Sequence, residues 1–380
     1  MRNMNILFIT HNNNEKSGAN RSLLSLIELF NKENDVIALV NKTDGNLPKK
    51  LKEMGVKTLN TNYWWSCVPI RKPLIRRAAV VMRGYARIIG NIIAIIRLLD
   101  IIKKYKIDCV YTNTSVVTFS IEAARIAKIE HIWHLREFGK KDFDFCRLIP
   151  RALVKKDIEY GKVIAVSNSI NEYYSKKYKT GNITTVYNGL NVSQYKFEFK
   201  KRDSNVLNVL IIGQISNKKG QGQAIRAVVR INKERDVGCE VNLYIAGKGD
   251  TEYLNGELEK ASNPNYIHIL GQVDNVPELR SRMHICVVCS RAEAFGRVTL
   301  EAMLSGLPVI GANCAGTSEL IEDGKTGLLY EYNNIEQLVN KIMLLLDDDK
   351  RMQIAHEARQ YAQSFTIQRT FNAIDSILNH

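Results

Sequence analysis

The chain has 380 residues, 45% hydrophobic and 24% charged, with 23 Gly and 7 Pro, which excludes a single small module, a collagenous repeat and a disordered chain. Its net charge of +15 is unevenly spread: residues 1–200 hold 34 Lys or Arg against 17 Asp or Glu, and residues 201–380 hold 20 against 22. The first half therefore suits an acidic partner, a membrane surface or a nucleic acid, and the second does not.

The opening MRNMNILFIT enters a strand with no signal-peptide apolar region, and seven Cys in so long a chain fit a reducing cytoplasm rather than a disulfide framework. From there NILFIT, DVIALV, DCVYT, HIWHL and KVIAVS alternate with helical stretches, and VLIIG, NLYIAG, YIHILG, ICVVCS and PVIGA repeat the rhythm. Strands apolar throughout are covered by helices on both faces, so the pattern predicts an α/β chain of two doubly wound parallel sheets. The polar segment 191–205 separates a domain over 1–190 from one over 206–364. The last helical pattern, 365–380, either pads the second sheet or crosses back to the first. Cys286 and Cys289 form a C-x-x-C inside the apolar run HICVVC, where core packing is the expectation rather than zinc.

Residues 71–106 carry ten basic residues and one acidic one amid a dense apolar set. Their longest charge-free stretch, 88–96, is nine residues, against about 20 for a membrane span. A single helix over 76–104 gathers Arg76, Arg83, Arg87, Arg97 and Lys104 within an arc of roughly 100°. A basic stripe beside an apolar face suits anionic lipid, and a core-packed helix with a solvated side is the alternative.

Several phosphate and metal motifs fail. GKT at 324–326 has Glu319 where a P-loop needs its first glycine, and the G-x-G of Gly247 and Gly249 has Glu252 at the sixth position. Asp142 and Asp144 follow GKK rather than an apolar strand and read as a surface turn. No metal site is expected. Anions can instead meet helix N-termini at the carboxyl ends of strands. Three segments have that form: Gly18 and Ala19 after NILFIT, Lys218 and Lys219 after VLIIG, and Ala294, Phe295, Gly296 and Arg297 after ICVVCS. Glu293 and Glu301 flank the last helix start, and carboxylates accept diol hydrogen bonds, so a nucleotide sugar is a sensible ligand.

The run SRAEAFGRVTLEAMLSGLPVIGANCAGTSELIEDGKTGLLY resembles the signature of retaining glycosyltransferases of the GT-B fold, the family-4 group, through Glu293, Glu301, Ala302, Met303, Gly306, Pro308, Glu319, Asp323, Gly324 and Gly327. GQISNKKG from Gly213, YNG at 187–189, SGANRSLL and HLRE at 134–137 extend the likeness over nearly the whole chain. The resemblance implies two Rossmann-like domains facing each other across a cleft. It also implies transfer of a hexose or N-acetylhexosamine from a nucleotide-diphosphate sugar, with UDP the first candidate. No cofactor and no metal are implied.

By the same resemblance, Glu293 contacts the donor hexose, Glu301 the ribose, and the N–H groups of Phe295, Gly296, Arg297 and Val298, beside Ala294, the sugar and diphosphate. Lys219 clamps the diphosphate. Relatives place an Arg after Gly213, where this chain has Gln214, and Lys218 or Arg297 is the candidate replacement. Val273 lies where the nucleobase is held. Gly18, Ala19, His134 and Arg136 fall on the acceptor side, with His134 beside the reacting carbon or, alternatively, packed in the core. Together with the basic helix, the resemblance implies a glycan or lipid-linked acceptor in cell-surface polysaccharide or glycolipid synthesis. The cytoplasmic, peripheral face of an anionic membrane is the implied location. Two other readings stay open: a nucleic-acid-binding protein using the basic half, and an inactive binding protein on this fold.

Overall fold

A computed structural model describes residues 3–41, 44–70, 74–202, 205–234 and 238–379, with the side chains of 74–77 outside that description. The chain divides into two compact units, Met1–Leu190 with Thr366–His380, and Asn191–Phe365.

In the first unit the strands are β1 (Asn5–Ile9), β2 (Asp35–Val40), β3 (Lys57–Asn60), β4 (Cys67–Pro69), β5 (Cys109–Thr112), β6 (Glu130–Leu135), β7 (Phe145–Arg147), β8 (Lys162–Ala165) and β9 (Thr184–Thr185). The helices are α1 (Gly18–Glu33), α2 (Asn46–Glu53), α3 (Leu74–Tyr105), α4 (Phe119–Ala127), α5 (Lys140–Phe143), α6 (Arg151–Tyr160) and α7 (Asn168–Tyr178). Seven strands form one sheet in the order β3-β2-β1-β5-β6-β8-β9, and β4 pairs antiparallel with β7 beside it. The sheet's pairs are all parallel. Alternation along β1 explains the layering. Ile6 and Phe8 pack with Leu23, Leu26 and Phe30 of α1, while Leu7 and Ile9 pack with Ala94, Leu98 and Ala123 on the opposite face.

The second unit contains β10 (Val206–Ile212), α8 (Gln221–Glu234), β11 (Glu240–Ala246), α9 (Thr251–Lys260), β12 (Ile267–Gly271), α10 (Val276–Ser281) and β13 (Ile285–Val288). It continues through α11 (Arg297–Leu304), β14 (Val309–Ala312), α12 (Ala315–Leu320), β15 (Leu328–Tyr330), α13 (Ile335–Leu344) and α14 (Asp348–Ala362). Its sheet order is β12-β11-β10-β13-β14-β15, parallel throughout. Cys286 and Cys289 are buried thiols, each pushed up to about 12 by burial.

The last helix, α15 (Ile367–Asn379), belongs to the first unit, where Phe371, Ile374 and Leu378 join the core beside α1. Burial of three such side chains contributes about 2 kcal/mol each. In both sheets the strand order reverses, between β1 and β5 and between β10 and β13. Such a reversal opens a crevice outside the carboxyl ends of the strands, because the connecting helices leave to opposite faces. The loops after these four strands are therefore where a ligand site is built.

Candidate functional site

In the second unit the loop after β10 turns sharply before α8. Gly220 has φ of 74°, and a Cβ there would lie 2.2 Å from the Cys289 carbonyl oxygen, so only glycine lets this turn abut the end of β13. The Arg291 N–H then donates to the Lys218 carbonyl at 2.9 Å, joining the two loops. Their joining brings the Lys219 ammonium into an ion pair with Glu293. The Ser290 hydroxyl donates to the same Glu293 oxygen at 2.6 Å. Burial opposes ionisation of Glu293, but Lys219 and Ser290 outweigh it and hold the carboxyl below its ordinary range.

The rest of the loop after β10 is fixed by Gln221. Its side-chain N–H donates to the Gln214 carbonyl at 3.0 Å, and its oxygen accepts from the Ser216 N–H at 3.2 Å. Gln214 itself is exposed and Lys218 half-buried. Gly213 borders Gly247, where a Cβ would meet the Gly213 oxygen at 1.8 Å.

Between Glu293 and α11, Ala294 is half-buried and Phe295 buried, and Gly296 takes φ of 99° to start the helix. Thr299 N–H donates back to the Gly296 carbonyl at 2.9 Å, so the Arg297 and Val298 N–H groups precede the helical ladder and point where an anion would sit. Glu301 is 3% exposed. Arg280 of α10 donates to its Oε2 at 2.5 Å and Arg297 to its Oε1 at 2.8 Å. Half-buried Val273 lies in the loop between β12 and α10, the helix that carries Arg280. Arg280 went unmarked in the sequence because it belongs to no motif and only its distant partner Glu301 singles it out, whereas Ser290 opens the signature-like run but was given no role there.

In the first unit Ser17 caps α1, its hydroxyl accepting from the Asn20 N–H at 3.4 Å, and a Cβ added at Gly18 would meet nothing within 4 Å. Asn20 braces the HNNN loop, donating to the Asn12 and Asn14 carbonyls at 3.1 and 2.9 Å. Beside it lies a cavity of about 580 Å³ whose lining includes His11, Asn13, Asn41, Asn46 and Trp65.

The structure alters the reading of His134. Its ring is fully buried on β6, facing the Tyr111 hydroxyl and, at 3.3 Å from Nδ1, Arg136 Nη2. A guanidinium can only donate, so Nδ1 is the acceptor and the proton sits on Nε2. Burial first, and the Arg136 charge second, hold the imidazole well below its ordinary pKa. Of the two expectations for this position, beside the reacting carbon or packed in the core, the structure shows a ring buried within the sheet. Arg136, two residues on, stands past the strand's end. Asn113 and Asn188, unmarked in the sequence for this role, take its Nε and Nη1 at 2.5 and 2.7 Å. Asn113 also donates to the Ala19 carbonyl at 3.2 Å.

On α3, Arg83, Arg87, Arg97 and Lys104 are exposed, and the Arg76 side chain lies outside the described residues. The same helix exposes Met82, Tyr85, Ile89, Ile92, Ile93 and Ile96, between 50% and 73% each. Among the described residues no helix is long and apolar enough to cross a membrane. The Asp142 carboxylate accepts the Phe138 N–H at 2.8 Å, and Asp144 caps α5 in a left-handed conformation.

Two family models match: Glycosyltransferase Family 4 over residues 16–194 and Glycosyl transferases group 1 over residues 193–364. Among curated relatives, an uncharacterised glycosyltransferase of Haemophilus influenzae is 24% identical over 74% of this chain and 79% of its own. A capsular polysaccharide biosynthesis glycosyltransferase of Staphylococcus aureus is 25% identical over 57% of this chain and 61% of its own. Several further curated relatives are matched over only about half their length. An Anabaena protein, HepE, crystallised with UDP and glucose, shares the fold with a TM-score of 0.76 at 21% identity, over 99% of both chains.

Proposed function

We propose, from the premise that the chain belongs to the group 1 glycosyltransferases of the GT-B fold, that it is a retaining, metal-independent hexosyltransferase. It moves a hexose or N-acetylhexosamine from a nucleotide-diphosphate sugar, UDP being the first candidate base, to a glycan or lipid-linked acceptor in cell-surface polysaccharide or glycolipid synthesis. The observation that carries this reading is the Lys219–Glu293–Ser290 cluster beside the start of α11, with Glu301 held by two arginines farther along the helix.

Each group has a task there. Glu293, ionised, accepts hydroxyl hydrogen bonds from the donor hexose. Glu301, held in place by Arg280 and Arg297, accepts ribose hydroxyls. Lys219 and the first N–H groups of α11 stabilise the negative charge that grows on the departing diphosphate, a task that needs no metal. In the transfer, the acceptor oxygen bonds to the anomeric carbon as its bond to the diphosphate breaks. The hydroxyl proton passes to a diphosphate oxygen on the same face, which retains configuration.

The relative named for capsule synthesis and the UDP complex of the Anabaena protein support the pathway class and the base. The exposed basic and apolar residues of α3 support a peripheral position on an anionic membrane, and seven cysteines outside any disulfide support its cytoplasmic face. Proton NMR of the sugar first released from an α-linked UDP-sugar in EDTA tests the reaction. The α-anomer should appear before mutarotation, and a β-anomer, or release only with added metal, would contradict it.

A further inference from the structure

The cavity beside the loop after β1 is built from three segments that hold one another in place. Gly45 takes φ of 105°, and a Cβ there would lie 2.8 Å from the Asn13 carbonyl oxygen, so glycine lets the loop before α2 abut the HNNN loop. The Asn13 side chain donates to the Asp44 carbonyl at 2.7 Å, and the Leu47 N–H donates to the Asn13 carbonyl at 3.0 Å. From the third segment the Trp65 indole N–H donates to the His11 carbonyl at 2.8 Å, which fixes the edge of the half-buried ring.

Five of the lining residues are asparagines, and Asp44 is the charged side chain among the described ones. The Asn12 amide is oriented by its neighbours. Its oxygen accepts from the Asn14 N–H and the Asn20 amide at 3.0 and 2.9 Å, so its Nδ2 faces His11 Nε2 at 2.6 Å and donates to it. Burial first, and the Arg136 charge second, lower His11 to about 4, so the ring is neutral and its one proton sits on Nδ1. That nitrogen is buried and has no hydrogen-bond partner, a donor that a bound group would satisfy. Asn46, exposed at the start of α2, adds an amide to the same lining.

A half-buried indole beside amides and one buried N–H suits a ligand with an apolar face and a rim of groups that both donate and accept. A pyranose has both. A nucleobase carries polar groups on its edges alone, and the His11 and Trp65 rings, tilted by 34° at 6.1 Å, form no parallel slot for it. An anionic sugar would meet the Asp44 carboxylate. We infer that this cavity is a subsite for a neutral pyranose ring, seated on Trp65 with its hydroxyls on the His11 Nδ1 proton and the surrounding asparagine amides. The inference rests on the transferase reading at one point, that the ring belongs to the acceptor. It deepens that reading by making the sugar at this position uncharged.

The test uses the full chain saturated with UDP, which fills the donor site of the second unit. The methyl glycosides of glucose, galactose and N-acetylglucosamine are titrated separately, with methyl glucuronide and uridine as the charged and nucleoside alternatives. The readout is the His11 Nδ1 resonance in nitrogen NMR, which a neutral glycoside should move. Trp65→Ala should weaken that binding at least about tenfold with UDP affinity unchanged. Trp65→Phe should recover most of it, which separates a lost platform from a lost fold. Asn46→Ala should weaken it about fivefold, the size of one neutral hydrogen bond. A His11 resonance unmoved by every neutral glycoside, equal binding by wild type and Trp65→Ala, or a stronger response to methyl glucuronide or uridine would overturn the subsite and leave the transferase reading intact. A chain that does not bind UDP yet takes a glycoside on Trp65 would instead remove the transferase reading and keep the sugar site.

Discussion

The two units share one plan, a parallel sheet with its order reversed near the middle, yet different side chains line the two crevices. In the second unit each site carboxylate meets a cation: Glu293 meets Lys219, and Glu301 meets Arg280 and Arg297. In the first, the buried Arg136 is held by amides and an imidazole. A compensated carboxylate can accept neutral hydroxyls without a large electrostatic penalty. The fold supplies the crevice in both cases, and the polarity of each crevice is set by a few side chains.

The sharpest way to break this contrast is to unbalance the second unit. Glu301→Ala leaves Arg280 buried without its carboxylate, so it should cost about 3–5 kcal/mol in urea unfolding and weaken UDP binding. Glu301→Gln should cost less. A stability unchanged in Glu301→Ala would show that the arginines do not depend on this pair.

A pH experiment probes the first unit. Burial pushes Glu137 up to about 7, against an ordinary 4.5, with Ser115 opposing. The folded state therefore holds a proton between pH 4.5 and 7 that the unfolded state gives up, so this group's contribution is full below 4.5 and is lost as pH rises through 7. The loss amounts to roughly 3 kcal/mol. Glu137→Gln should remove that decline, read from urea midpoints at pH 5 and pH 8, and an identical decline in both proteins would place its cause elsewhere.

Glu293→Ala should cut transfer about a hundredfold while leaving UDP affinity within about threefold, because a hexose contact that tightens in the transition state acts on rate. Parallel losses in rate and UDP affinity would merge the roles given to Glu293 and Glu301. The smallest effect belongs to α3. Arg97→Ser should reduce partitioning onto anionic vesicles about fivefold, as one basic residue near such a surface contributes about 1 kcal/mol. Ile92→Ser and Ile93→Ser should add to it, and vesicle binding insensitive to all three would remove the membrane surface.

Much of the fold was legible because apolar runs such as NILFIT and ICVVC are strands buried on both faces, a pattern that needs no partner to be read. The helix proposed over 76–104 occupies Leu74–Tyr105. The β4–β7 pair was not legible, since CVP and FCR are too short to show a period. Glu293, Glu301 and Lys219 were legible through their motif, but their arrangement into ion pairs was not. Arg280 reaches Glu301 across 21 positions and Arg136 reaches Asn188 across 52. Such pairings are set by which strands the topology brings side by side, and local sequence carries no trace of them. His134 was marked by its motif, but its burial on β6 beside Tyr111 and Arg136 was not legible from that motif.

The central claim is that the second unit binds a nucleotide diphosphate through the Lys219–Glu293 loop pair and the start of α11. Thermal unfolding of the full chain with UDP and UDP-sugars, in EDTA, tests it most directly. At about 100 times its dissociation constant a ligand adds roughly 2.7 kcal/mol, so UDP should raise Tm by several degrees without metal, and less in Lys219→Ala. A Tm unmoved by every nucleotide diphosphate in EDTA, or a rise equally large in Lys219→Ala, would contradict the claim.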